Sequence, residues 1–227
     1  LSLLREAWPF VVAIGLSNIY LRAAFLVFSP VLSDGEIVVL GVISQLTTAG
    51  GLIPYSLQLA IYPVQQRLAD DDDRFRRLFA GLCAFNVLFG LAVSIGLVLL
   101  GDWFVHLIFA DVGAISFVVF GLIGFYLAIQ TTVNARNYVL MIQGAPREIV
   151  LVNALGLAGA VLVSAVLAFW PTVESFAVAL VLCAVMGLAA GVVSPSSKRY
   201  QGELHSWARS NRLWPSLMAI PEGFRLK

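Results

Sequence analysis

Charge is scarce in this chain: Asp, Glu, Lys and Arg make up 12% of its 227 residues, against about a quarter in soluble domains. Hydrophobic residues account for 60% and the mean hydropathy is +0.92, which excludes an ordinary soluble domain and points to an integral membrane protein. Catalytic signatures are missing as well. There is no phosphate-cradling Gly-rich loop, no HExxH, no paired CxxC and no plausible Ser/His/Asp set, and the two histidines, His106 and His205, fall near opposite surfaces. Neither an enzyme nor a cofactor or metal centre is expected. The two cysteines, Cys83 and Cys183, both lie inside apolar runs, where a free thiol packs as a small hydrophobe, so no disulfide is expected. No acidic residue falls within an apolar run, which leaves no intramembrane carboxylate for a proton or sodium relay. The net charge of +1 says nothing about partners by itself, and no nucleic-acid partner is expected.

What the chain has instead is apolar length. A span of about 20 residues crosses a hydrocarbon core of about 30 Å, and six fit, at roughly 8–32, 37–63, 78–100, 113–135, 149–170 and 175–193. Only helices or closed barrels satisfy their backbone in lipid, so the expected fold is all-α, a six-helix membrane bundle, followed by a polar tail over 196–227. That tail, with Trp207 and Trp214 among basic residues, is expected on the inner leaflet or without fixed structure.

Thirteen of the fourteen basic residues fall before the first span, between the second and third, between the fourth and fifth, or after the sixth. The other connections, SDGE (33–36), GDWFVHLIFADV (101–112) and PTVES (171–175), contain acids and His106 but no Lys or Arg. The positive-inside rule then puts both termini in the cytoplasm. The opening LSLLREAWPF has neither an initiator Met nor a cleavage site, so a fragment of a longer chain is expected.

The fourteenth cation is Arg22, in the middle of SNIYLRAAFLVF (17–28). Helical spacing puts it on one stripe with Gly15, Asn18 and Ser29, roughly 15 Å from the outer end of the span. The second span carries a matching stripe of Gln45, Thr48, Gly51, Tyr55, Gln58 and Tyr62. Its GGLIP segment places Pro54 where it cannot donate to the Gly50 carbonyl, so a kink or, with Gly50 and Gly51, a hinge is expected. The run QQRLADDDDRFRRLF (65–79) is read as a solvated loop whose Asp73 and neighbours sit at the positive end of the third helix, followed by interfacial arginines; adjacent aspartates do not converge on one metal ion without a shaped loop. Gly81, Gly90, Ser94 and Gly96, and Gly187 with Gly191, suggest close helix packing, and WFVHLIF suggests an interfacial connection. Gln130, Asn134 and Asn137 share one face of a fourth helix that can continue until Gly144 and Pro146 stop it.

A charge at the bilayer centre costs about 2.5–3.5 kcal/mol on insertion scales. Two readings of Arg22 stand side by side. It can be satisfied by Asn18, backbone carbonyls or water, or it can hold an anion, since guanidinium offers five donors in a fork that matches phosphate.

The segment LREAWPFVVAIGLSNIYLRAAFLVF, followed by a polar second span ending in LQLAIYPVQQRLADDDDRFRRLF, resembles the C-terminal half of polysaccharide flippases in the multidrug/oligosaccharidyl-lipid/polysaccharide exporter superfamily. The shared features are a proline-opened helix, a mid-helix arginine in a run like SxxYxRxD, a second helix closing on Pro before an Arg-rich loop, and a Gly turn (QGAPRE) ahead of a fifth helix near Asn153. They cover residues 1 to about 195. Where the family often has an acid two positions after the arginine, this chain has Ala24. The resemblance implies one six-helix lobe of a two-lobe, MATE-like transporter in the bacterial inner membrane, with membrane lipids around it and a second lobe from the rest of the chain or from a partner. It also implies a substrate, a polyprenyl-pyrophosphate-linked oligosaccharide for cell-surface polysaccharide. Arg22 would bind phosphate and Asn18, Gln45, Thr48, Tyr55 and Gln58 would offer hydrogen bonds, while Gly50, Gly51 and Pro54 let the second helix bend. The rival readings are a drug/cation antiporter lobe of the same superfamily, half of an ATP-driven exporter, and a non-transporting subunit of a glycan assembly complex.

Overall fold

A computed structural model describes residues 22–69, 71–109 and 115–193, together with positions 8, 11, 12, 15, 16 and 19. Asn18 and the tail at 196–227 lie outside the described residues. Those described form helices and turns and no strand. Helix α1 is continuous over 22–28 and helical at the described positions before it; α2 (Asp34–Arg67), α3 (Asp72–Ile108), α4 (Phe117–Ile142), α5 (Pro146–Leu167) and α6 (Val173–Val193) follow. These last five are long and apolar enough to cross a membrane, an arrangement compatible with a multi-pass helical membrane protein.

The helix ends differ from the expected spans, for local reasons. Helix α1 stops at Phe28 and turns through 29–31, because Pro30 disfavours a helical conformation in the residue before it. Arg22 therefore sits about 9 Å from the end of its helix rather than 15 Å, at 1.5 Å per residue. Helix α2 begins earlier than expected, where the Glu36 carboxylate accepts from the Ser33 backbone N–H at 3.1 Å and from its hydroxyl at 2.6 Å. The aspartates do sit at the start of the third helix: Asp71 caps α3 by accepting from the Arg74 N–H at 3.1 Å, and Asp72 and Asp73 fill the first turn. At its other end α3 runs on through GDWFVHLI, which continues the helix where a connection between helices was expected. Gly101, the first residue of the expected 101–112 connection, lies within the helix, and a Cβ there would meet the Phe120 ring at 3.0 Å, so this glycine permits close packing. Gly144, at φ 65°, closes α4: the Gly144 N–H donates to the Met141 carbonyl and the Ala145 N–H to that of Leu140, a Schellman pairing that glycine alone adopts cheaply.

Consecutive helices run in opposite directions. Among the described residues, one end of the bundle carries Asp34, Glu36, Asp102 and Glu174, and the other carries Arg67, Arg74, Arg76, Arg77, Arg136 and Arg147. Helix α4 is central, with 56% of its most apolar stretch buried against 22% to 39% for the others. It is pinned to α3 by small residues: a Cβ on Gly90 would lie 2.8 Å from the Ala128 Cα, and Ser94 Oγ donates to the Gly121 carbonyl at 3.0 Å. Gly81 and Gly96, also expected in close packing, face open space. Helix α1 is held through aromatic rings, with Phe176 of α6 edge-on to Phe25 at 4.6 Å and to Phe28 at 5.6 Å.

Candidate ligand cavity

Helices α1, α2 and α4 enclose an open cavity of about 280 Å³. Arg22 and Phe25 enter it from α1. From α2 come Ser44, Thr47, Thr48, Gly51, Tyr55 and Gln58, spaced three or four apart apart from the adjacent threonines, which is the period that gathers side chains on one helix face. From Ser44 to Gln58 that face runs about 21 Å at helical rise. The third wall is α4, through Tyr126, Gln130, Thr131 and Asn134. The α3 seam fixes this wall, and α2 lies directly against it, since a Cβ on Gly50 would come within 2.7 Å of Leu127 Cδ1.

Of the residues expected at the site, Arg22, Thr48, Tyr55 and Gln58 line this one cavity, and so does Gly51. Gln45 does not: it is exposed and turned off the lining face. Pro54 is buried within an α2 that remains helical through both Pro54 and Pro63. Tyr62 stands farther toward the basic end, edge-on to Tyr138 of α4 at 5.6 Å.

Arg22 is exposed and is the one charged side chain among the lining residues. No described carboxylate pairs with it. The remaining polar groups are neutral, and several are costly. Gln58 is 2% exposed and its Nε2 has no partner; Gln130 is 6% exposed, and its Oε1 has none. An unpaired buried polar atom costs about 1–3 kcal/mol. Gln130 Nε2 does donate to Asn134 Oδ1, at 3.4 Å.

The contribution of α4 was visible in the sequence as the run QTTVNARN, with Gln130, Asn134 and Asn137 on one face, yet nothing there said which neighbour that face meets. The face divides: Gln130 and Asn134 turn to the cavity, whereas Asn137 Nδ2 donates to Asn153 Oδ1 of α5 at 3.5 Å. Among the described residues no group of His, Cys, Asp and Glu could hold a metal ion. No family model matches the chain, and no curated protein or solved structure matches it, so the cavity's own chemistry is the ground for a functional reading.

Proposed function

We propose that this chain is one six-helix lobe of a membrane transporter that flips a polyprenyl-pyrophosphate-linked oligosaccharide across the bacterial cytoplasmic membrane for cell-surface polysaccharide synthesis. The observation that carries this reading is Arg22, a guanidinium unpaired among the described residues, at a cavity whose other lining groups are uncharged. A fixed cation in such a setting selects for anions, and its planar fork suits phosphate oxygens. It also repels the cationic substrates of a drug antiporter. The basic end faces the cytoplasm in this reading, as the positive-inside rule requires.

In the proposed cycle Arg22 binds pyrophosphate, and Thr48, Tyr55 and Gln58 contact the head group beyond it. Alternating access comes from α2. Pro54 leaves the Gly50 carbonyl without its usual helical donor, so the segment from Gly50 to Pro54 bends while α4 stays fixed on α3. The second lobe, from the remainder of the chain or from a partner, closes the open side of the cavity.

A flipping assay on the full-length protein in proteoliposomes tests this. Arg22→Ala and Arg22→Gln are expected to cut transport at least about tenfold, the equivalent of losing about 1.4 kcal/mol of anion binding. Transport at the wild-type rate, with equal protein in the membrane, overturns the anion role. If the wild type moves no lipid-linked glycan, and Arg22→Gln still co-purifies with a glycan assembly complex that keeps its function, the chain is a non-transporting subunit instead.

A further inference from the structure

The cavity offers its ligand two different chemistries, and the second is set by where the hydroxyl protons of its threonines go. Thr48 Oγ1 donates to the Ser44 carbonyl at 2.7 Å and Thr47 Oγ1 to the same carbonyl at 3.0 Å. Thr131 Oγ1 donates to the Leu127 carbonyl at 2.7 Å. A hydroxyl has one proton and two lone pairs, so each of these threonines has spent its proton on its own helix and presents only lone pairs. Gln130 adds an acceptor, its partnerless Oε1, and Asn134 Oδ1, taking one bond from Gln130, retains a second lone pair.

The α2–α4 side is therefore rich in acceptors. A phosphate, which is all acceptors, finds partners there only at amide N–H groups such as Gln58 Nε2 and leaves the lone pairs unused, so a ligand that uses the whole face also brings donors. Cations bring donors but are opposed by Arg22 in the same cavity. Among uncharged groups a hydroxyl matches this face, because one group both gives its proton to Gln130 Oε1 or a threonine and accepts from an amide such as Gln58 Nε2, also unpartnered.

We infer that Gln130 and Asn134 of α4, with the proton-spent Thr48 and Thr131, form a hydroxyl-reading subsite for the uncharged saccharide part of the ligand, separate from the anion contact at Arg22. This rests on the transporter reading for the identity of the whole ligand, but the subsite itself needs only that the cavity binds a polyhydroxylated molecule. Gln130 and Asn134 are then specificity-determining residues that decide which glycan is accepted.

The test is thermal unfolding of the purified full-length protein in detergent with chitotriose, maltotriose or inorganic pyrophosphate, and with sodium chloride set against choline chloride. At least one saccharide is expected to raise the melting temperature of wild type and of the off-cavity control Thr132→Val. The rise is expected to vanish in Gln130→Leu and Asn134→Leu, while pyrophosphate still stabilises both. Gln130→Met, closer in shape to glutamine, is expected to behave like Gln130→Leu and covers the case in which the leucine variant does not fold. The inference is overturned if neither saccharide shifts wild type, or if Gln130→Met keeps the shift. It is equally overturned if sodium rather than saccharide gives a shift that Gln130→Met removes, which would mark the acceptors as a cation site. A saccharide shift that behaves as expected in a protein that moves no lipid-linked glycan sinks the flippase reading and leaves the subsite standing.

Discussion

Arg22 and Ala24 are two residues apart and lie on nearly opposite sides of α1, about 200° around at 100° per residue. Arg22 is exposed to the cavity, whereas Ala24 is 1% exposed in the cluster that contains Phe28 and Phe176. An acid at position 24 would thus not meet Arg22 on its own helix. It would place a carboxylate in a packed apolar seam, where a charge costs about 2.5–3.5 kcal/mol on insertion scales. Ala24→Asp is accordingly expected to lower the melting temperature and the yield of membrane-inserted protein, and not to create an ion pair. A variant as stable as wild type, with an Arg22-dependent gain from the new carboxylate, would show that α1 sits in a different rotation.

At the scale of helices, the α3–α4 seam is where a single methyl group decides. Gly90 abuts the Ala128 backbone, while nothing lies within 4 Å of a Cβ added at Gly81. Gly90→Leu is expected to cost about 1–3 kcal/mol through overpacking, and Gly81→Leu to stay within about 0.5 kcal/mol of wild type; unfolding in graded denaturing detergent separates them. Both glycines look alike in the sequence, since each is a small residue in an apolar run, and only the register against α4 tells them apart. The same limit runs through the whole chain. Five apolar runs become helices of α2 to α6, and the stop between α4 and α5 is readable at Gly144 and Pro146, whereas the span expected over 8–32 runs past Phe28, where α1 in fact ends ahead of Pro30. Helix ends are unreadable where a residue serves packing, as at Gly101, or where a cap starts a helix early, as at Ser33. The cavity follows suit. Period alone finds the α2 face of Thr48, Tyr55 and Gln58, but one helix's period does not say that Gln130 and Asn134 of another will face it or that Gln45 will not.

The molecule as a whole has a stiff part and an attached part, and its charges divide between two ends. Helices α3 and α4 are seamed by backbone-close contacts, whereas Phe176 provides the ring contacts that hold Phe25 and Phe28 of α1. Phe176→Ala is expected to cost about 3–5 kcal/mol, the range for truncating a buried phenylalanine, and to free α1 before the rest unfolds, seen as early proteolysis within the first 30 residues. The orientation of the bundle depends on charge alone. Among the described residues the α1–α2, α3–α4 and α5–α6 connections and their flanking turns bear acids and no Lys or Arg, and the α2–α3 and α4–α5 ends bear six arginines. Cations near short loops resist translocation, so the acidic end is expected outside. In a background with Cys83→Ala and Cys183→Ala, which removes both native thiols, Trp103→Cys reports on the acidic end and Gln66→Cys on the basic end; both positions are exposed. A membrane-impermeant sulfonated maleimide added to intact spheroplasts is expected to label Trp103→Cys at once and Gln66→Cys only after permeabilisation. The reverse pattern would invert the bundle and put the arginine-rich end outside. Labelling of both in sealed spheroplasts would mean that the charge asymmetry does not set one orientation, and the proposed placement of the basic end in the cytoplasm would fall with it.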